Sequence, residues 1–165
     1  MLIFENGTQK ALYLHAESAY PEECCGILLG KRRGEIRIAY QAIRAENTGD
    51  EKQRATHFSM DPLQIAKIEM SAEQDGLEIV GFYHSHPDYE AVASREDALY
   101  MLAAHSYPIV SVKDGVCRQM IAFEKSSSES TEVNKEKIMI QGEHHADFTV
   151  HISNTQNLCG EEIKG

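Results

Sequence analysis

The sequence lacks the features that would direct the chain to a membrane or to nucleic acid. No run of apolar residues approaches the roughly 20 that a helix needs to span a bilayer. Basic residues are few, with 16 Lys and Arg against 26 Asp and Glu in 165 residues, for a formal charge of −10. Phosphate backbones are bound by clustered Lys and Arg, and the one basic run, Lys31-Arg32-Arg33, precedes Gly34 and is typical of a solvated hairpin turn. Neither a membrane nor nucleic acid is therefore expected as a partner, and the length suits one globular domain with a hydrophobic core.

Cysteine is also scarce, with four residues at Cys24, Cys25, Cys117 and Cys159. Adjacent Cys24 and Cys25 would point to opposite faces of a strand, so they neither pair readily nor bind a metal together. Neither is a strong candidate nucleophile, because no neighbouring positive charge would lower the thiol pKa. The N-terminus carries no secretory signal sequence, and a reduced cytoplasm is the expected compartment.

Periodicity and turn signals predict alternating helices and strands as far as residue 124. Helices are predicted over 7–19, from the Asp61-Pro62 start to Gln74, and from Ser94 through Ala103. Strands are predicted at 24–30, 35–43, 56–59, 77–83, 108–112 and 116–123, the last two joined by an Asp-Gly turn. Residues 45–54 are polar and turn-rich, which indicates a surface loop.

The character of the chain changes after residue 124. The Ser-rich segment 125–132 is typical of a flexible linker, and the tail to residue 165 has candidate strands at 137–140 and 148–152. The tail histidines His144, His145 and His151 match no metal-ligand spacing and are interpreted as surface residues. The predicted organisation is one domain over 1–124, followed by a linker and tail over 125–165 without an assigned role.

The most informative stretch is His84-Ser85-His86-Pro87, followed after a short loop by Ser94-x-x-Asp97. Alternation along a strand sends His84 and His86 to one face, with backbone positions about 6.6 Å apart. Two imidazoles at that separation can bind one ion at roughly 2.0–2.1 Å each. By itself Ser94-x-x-Asp97 is typical of a helix capping box, and one histidine at a strand end is usually packed or solvated. The joint pattern favours two histidines, a carboxylate and an open fourth position, the ligand set of a catalytic zinc site.

These residues resemble the JAMM motif of the MPN (Mov34/PAD-1) zinc metalloproteases, and in particular their short bacterial and archaeal members. The resemblance extends from about Gly7 to Phe123. It implies an α/β fold with a curved, mixed, largely antiparallel sheet flanked by helices, similar to that of cytidine deaminases. It also implies one Zn²⁺ per chain, with His84, His86 and Asp97 as the metal ligands.

The resemblance also implies two catalytic residues. In that family a glutamate follows a proline shortly before the first buried strand, and Pro21-Glu22-Glu23 fits this pattern. Glu23 matches the catalytic position better than Glu22, and its implied role is that of the general base. Ser94 is the implied donor to the tetrahedral oxyanion. Ala93 departs from the family, where many members have proline before the serine, and this affects loop rigidity more than chemistry.

The resemblance finally implies a class of substrate. The chain has no long insertion of the kind that eukaryotic members use to grip ubiquitin, and small bacterial members are similar to processing enzymes for ubiquitin-like sulfur carriers. We therefore expect a zinc peptidase or isopeptidase that cuts after the C-terminal Gly-Gly of such a carrier. A deubiquitinase-like isopeptidase is the alternative within this class, and the oligomeric state is left open.

Two alternatives from other classes remain to be tested. A non-catalytic MPN scaffold for protein interaction is disfavoured, because a scaffold has no need of the complete set Glu23, His84, His86, Ser94 and Asp97. A metal-binding or sensing protein without hydrolytic activity would leave Glu23 dispensable.

Overall fold

The computed structural model describes residues 1–5, 7–127, 129–130 and 132–141, and the backbone of 151–152. Its elements in chain order are β1 (Leu2–Phe4), α1 (Thr8–Ala19), β2 (Cys25–Arg33), β3 (Ile36–Ala45), α2 (Pro62–Gln74), β4 (Glu78–Pro87), α3 (Arg95–Tyr100), β5 (Ser106–Lys113), β6 (Val116–Lys125), β7 (Val133–Glu136), β8 (Ile138–Ile140) and β9 (His151–Ile152). Within these described residues, no helix combines the length and the apolar character needed to cross a membrane. His144 and His145 lie outside the described residues, as does the predicted strand at 148–152 apart from its last two positions.

The strands form one sheet in the order β7-β6-β5-β4-β2-β3-β1-β8-β9. The pairs β1–β3, β1–β8 and β4–β5 are parallel, and the remaining pairs are antiparallel. Strands β7 and β8 lie towards opposite ends of this order, yet Lys137 alone separates them in the chain. The sheet must therefore curl until its edges approach one another. The predicted α/β fold with a curved, mixed, largely antiparallel sheet is confirmed.

Two helices cover opposite faces of the central strand β2. Leu28 packs in the same buried cluster as Leu12 of helix α1. Its neighbours Ile27 and Leu29 pack in a different cluster with Ala72 of helix α2. Because successive side chains of a strand point to opposite faces, α1 and α2 lie on the two sides of β2.

Local signals predicted most elements. Strands β1 and β7 were not predicted, and two of the predictions made were wrong. Helix α3 ends at Tyr100 rather than Ala103, because Met101 takes an extended backbone (ψ 127°) and buries its side chain. The strand predicted at 56–59 is wrong, because the Ser59 amide donates to Oδ1 of Asn47 (3.1 Å) and not to a neighbouring strand.

The sheet extends past the predicted boundary at residue 124. Strand β6 continues to Lys125, a buried residue, and the segment predicted as a linker connects β6 to β7, its antiparallel neighbour. The strand predicted at 137–140 is confirmed as β8, which pairs with β1. Residues 133–140 thus belong to the same sheet as the preceding strands.

Candidate metal centre

Strands β2 and β4 bring the first candidate residues to one end of the sheet. Cys25 lies directly opposite His84 in the antiparallel register. Beyond that pair the Ser85 amide donates to the Cys24 carbonyl (3.1 Å), and the Cys24 amide donates to Oγ of Ser85 (2.9 Å). These contacts hold the chain before β2 against the histidine end of β4, and Glu23 lines the same groove as His84 and His86.

Three side chains converge at this end of β4. Nε2 of His84 lies 3.0 Å from Nε2 of His86 and 3.2 Å from Oδ1 of Asp97. Oδ2 of Asp97 lies 3.8 Å from Nε2 of His86, and one ligand atom from each residue lies within 4.8 Å of the others. Ligands held about 2.0–2.1 Å from a tetrahedral zinc ion are about 3.3–3.4 Å apart. The spacing of the three groups therefore suits a single ion.

The protonation pattern of the cluster also fits a cation. Nδ1 of His86 lies 2.9 Å from the Glu90 carbonyl oxygen, which only accepts, so Nδ1 carries the proton and Nε2 presents a lone pair. Burial, followed by the neighbouring His84, lowers the pKa of His86 and favours this neutral form. His84 stacks on Phe58 with ring centroids 4.7 Å apart. Two imidazole nitrogens and a carboxylate are donors that Zn²⁺ commonly binds in proteins.

Asp97 performs two tasks with two oxygens. Its Oδ2 accepts from the Ser94 amide (2.6 Å), while its own amide donates to Oγ of Ser94 (3.0 Å), which completes the capping box of α3. Its Oδ1 faces His84. Burial alone would raise the pKa of Asp97, but His84 and the bonds from Ser94 outweigh it and hold that pKa below its usual range. Capping and metal ligation, alternatives in the sequence, are compatible in the structure.

Ser94 keeps a hydrogen available for a further partner. Its Oγ accepts from the Asp97 amide, and a hydroxyl that accepts one bond can still donate its own proton. The side chain lines the same groove as the three clustered residues.

Glu23 is buried and held by its backbone. Its amide donates to the Arg54 carbonyl (2.7 Å), and its carbonyl accepts from Nδ2 of Asn47 (3.2 Å). The residue is only 6% exposed, whereas Glu22 is exposed. Burial, followed by the charges of Asp97 and Glu96, raises the pKa of Glu23 to about 8. Of the two adjacent glutamates, Glu23 is the one that faces the cluster's groove.

Comparison with known proteins decides the family. Residues 5–122 match the family described as prokaryotic homologs of the JAB domain. The chain belongs to this family. The resemblance to JAMM/MPN proteins drawn from the motif is thereby confirmed.

The JAB-domain chain has curated relatives and solved structural neighbours. It is 31% identical over 84 residues to a desampylase of Pyrococcus furiosus and 35% identical over 77 residues to a desampylase of Haloferax volcanii. These matches cover 51% and 47% of the chain, and 55% and 52% of the relatives. It is also 33% identical over 90 residues, 54% of the chain, to the tail tip assembly protein K of Escherichia phage N15, of which the match covers 32%. The JAB-domain chain thus spans about half the length of the desampylases and a third of the phage protein.

Solved structures extend the likeness to most of the JAB-domain chain. A protein of Desulfitobacterium hafniense has a TM-score of 0.73 at 28% identity, covering 88% of this chain and 96% of that one. A JAB1/MPN domain protein from Archaeoglobus fulgidus has a TM-score of 0.53 at 16% identity, covering 85% of this chain and 96% of that one. The second likeness shows the fold alone.

The cluster of the JAB-domain chain opens into a groove that the sequence did not reveal. Its volume is about 1170 Å³. Apolar and aromatic side chains dominate its lining, among them Phe58, Met60, Ile65, Phe82, Tyr89, Val92, Tyr100 and Leu102. Tyr89, Val92, Tyr100 and Leu102 are each more than half exposed, with Tyr100 at 77%. Exposed apolar side chains grouped in this way mark a binding surface. In the sequence these residues are scattered among polar neighbours, so no local pattern pointed to the groove.

Proposed function

We propose that this JAB-domain protein is a zinc-dependent peptidase or isopeptidase that hydrolyses the bond after the C-terminal Gly-Gly of a ubiquitin-like sulfur-carrier protein. The observation that carries the proposal is the convergence of donor atoms from His84, His86 and Asp97 beside a buried glutamate, Glu23, in one groove. The likeness to two archaeal desampylases supports the class of reaction.

Each residue has a chemical role in this proposal. His84, His86 and Asp97 would hold one Zn²⁺, which when bound supplies Lewis acidity and lowers the pKa of a water molecule toward neutrality. Glu23 accepts a proton from the attacking water as the water oxygen bonds to the scissile carbonyl carbon. It returns that proton to the leaving nitrogen as the C–N bond breaks. The Ser94 hydroxyl, which accepts from the helix backbone, donates its own hydrogen to the tetrahedral oxyanion.

The form of the groove supports an extended peptide tail as the substrate. Glycine has no Cβ, so a Gly-Gly tail can bring its backbone close to the cluster without a clash. Residues 57–60 line the groove outside the sheet, and an extended tail would lie along this segment by main-chain pairing. The exposed side chains of Tyr89 and Tyr100 would then contact the groups on either side of the scissile bond.

The test is mass spectrometry of a carrier that bears an amino acid or short extension beyond Gly-Gly, incubated with the zinc-loaded protein. We expect loss of the extension, and no loss when Val replaces the carrier's terminal Gly. The Glu23→Gln variant should keep its zinc while turnover falls roughly 10²–10⁴-fold, the usual effect of losing an acid–base group. Glu22→Gln is the matched control, because it makes the same change at an exposed position and should leave turnover unchanged.

Other outcomes would select the alternatives. If the protein cleaves Lys-linked ubiquitin chains but leaves the extended carriers intact, its activity is deubiquitination and not carrier processing. Zinc binding without cleavage of either substrate would favour a metal-binding protein without hydrolytic activity. A larger effect of Glu22→Gln than of Glu23→Gln would contradict the assignment of the general base.

A further inference from the structure

Lys125 is a buried cation in an unusual setting. It is the last residue of β6 and is only 6% exposed, although the sequence places it at the start of a polar Ser-rich segment. Within the described residues no carboxylate lies within 4.0 Å of its ammonium group. Among the residues that the structure describes, its Nζ donates one hydrogen bond, to the Ala98 carbonyl (3.0 Å). Burial of a charged group costs free energy unless the group is paired or hydrogen-bonded. The burial of Lys125 on this one contact therefore suggests a structural role for the contact.

The acceptor belongs to the short helix that carries Asp97. Helix α3 has six residues and buries none of them, and a helix of that length is marginal by itself. The last carbonyls of a helix have no partner within it, and Ala98 O is one of them. A lysine at this end both satisfies the carbonyl and complements the helix dipole. Lys125 therefore anchors α3 at the residue directly after Asp97.

Two further contacts hold the chain beyond α3 but not the helix itself. The Leu102 amide donates to Oη of Tyr107 (2.6 Å), and Nε of Arg37 donates to the Ala104 carbonyl (3.0 Å). Leu102 and Ala104 both lie after Tyr100, where α3 ends. Of these three contacts, the one from Lys125 alone reaches a residue of α3. Nε2 of His57 also lies 3.2 Å from Oε2 of Glu96 in α3, but both of these side chains are exposed.

We propose that Lys125 is a positioning residue for the metal centre, which acts through the Ala98 backbone to hold Oδ1 of Asp97 towards His84. His84 and His86 are fixed by strand β4, whereas Asp97 depends on the placement of α3. Loss of the Lys125 contact would thus weaken one ligand of the three. Lys125 belongs to neither the cluster nor the groove lining, so its effect is on the geometry of the ligand set. The inference rests on the proposed ligands but not on the proposed hydrolysis.

The test is the zinc affinity of the purified apo protein, measured by competition with a chromophoric chelator. Lys125→Met keeps an unbranched apolar stem and removes the donor, and we expect affinity to fall about 10-fold or more, within the roughly 10–100-fold typical of supporting residues at metal sites. Lys125→Arg, which restores a donor, should recover most of the affinity. Lys113→Met makes the same change at an exposed strand end and should have no effect.

A double-mutant cycle separates positioning from plain stability. If Lys125 acts through Asp97, then Lys125→Met should have no further effect on zinc affinity in an Asp97→Asn background. Equal affinity of Lys125→Met and wild type in folded protein, or full additivity with Asp97→Asn, would overturn the inference. If Lys125→Met does not fold, Lys125→Gln, which keeps one donor on a shorter stem, should show the same directional loss. Wild-type protein that binds no zinc would instead overturn the proposed function.

Discussion

At the scale of single residues, two aspartates that cap helices allow capping to be separated from metal binding. Asp97 accepts from the Ser94 amide through Oδ2 and faces His84 with Oδ1. Asp61 is itself the N-cap of α2 and accepts from the Leu63 amide at 2.9 Å, but it does not belong to the cluster. Because the side-chain oxygen of Asn can accept the same hydrogen bond as that of Asp, replacing either aspartate by Asn removes the charge and keeps the capping bond.

We therefore expect Asp97→Asn to lose most of its stoichiometric zinc while the melting temperature of the apo protein changes little. The physical reason is that a neutral amide is a poor zinc ligand, whereas its oxygen still accepts from the Ser94 amide. Asp61→Asn should keep about one zinc per chain. Metal analysis of the two purified variants makes the comparison, and full occupancy in Asp97→Asn would contradict its assignment as a ligand.

At the scale of elements, a close approach of two strands sets the position of the histidines. Strands β4 and β5 are parallel, and their register places His84 beside Ile109 and His86 beside Ser111. At Gly81, three residues before His84, an added Cβ would lie 2.3 Å from the Ser106 carbonyl oxygen of β5. Only glycine lets the two backbones meet at this distance.

We expect Gly81→Ala to destabilise the protein by roughly 1–3 kcal/mol, the usual cost of forcing an extra carbon into a packed site. The obstructing atom belongs to the backbone and cannot rotate away. Gly49→Ala is the comparison, because its added Cβ would meet at closest a side-chain atom, Oδ1 of Asn47, at 3.0 Å rather than a backbone atom at 2.3 Å. Urea unfolding of the two variants measures the difference, and equal stabilities would contradict the close-packing argument.

The sequence predicted well those helix starts and turns that depend on residues adjacent in the chain. Asp61 followed by Pro62 marked the start of α2, and Asp114-Gly115, both with positive φ, formed the expected hairpin turn. The end of α3 was missed because it depends on the burial of Met101 in a cluster with residues of β5 and β6. The ligand spacing could be inferred from strand alternation. The groove beside the ligands could not, because segments far apart in the chain line it.

At the scale of the whole molecule, a buried ion network ties the curled sheet together. Nη1 of Arg37, on β3, lies 2.8 Å from Oε2 of Glu124 on β6 and 2.5 Å from Oε1 of Glu136 on β7. The Met1 amine also lies 3.0 Å from Oε1 of Glu136. The Glu136 side chain is fully buried, and that of Arg37 is nearly so. These partners lie 87 and 99 positions from Arg37 in the chain, which is why no local pattern predicted them or placed residues 133–136 in the sheet.

Arg37→Met should therefore destabilise the protein far more than a surface substitution. Removing one partner of a buried ion pair leaves an uncompensated charge, and the usual cost is about 3–5 kcal/mol. Because the Met1 amine still lies beside the Glu136 carboxylate, we expect a loss near the lower end of that range. Arg32→Met is the matched control, because its contact with Glu78 is long (3.9 Å) and Glu78 is half exposed, so at most about 1 kcal/mol is expected. Adding Glu136→Gln to Arg37→Met should recover part of the loss, since it removes the stranded charge. Urea unfolding at neutral pH measures all three, and a loss in Arg37→Met no greater than that in Arg32→Met would show that the network does not hold the sheet closed.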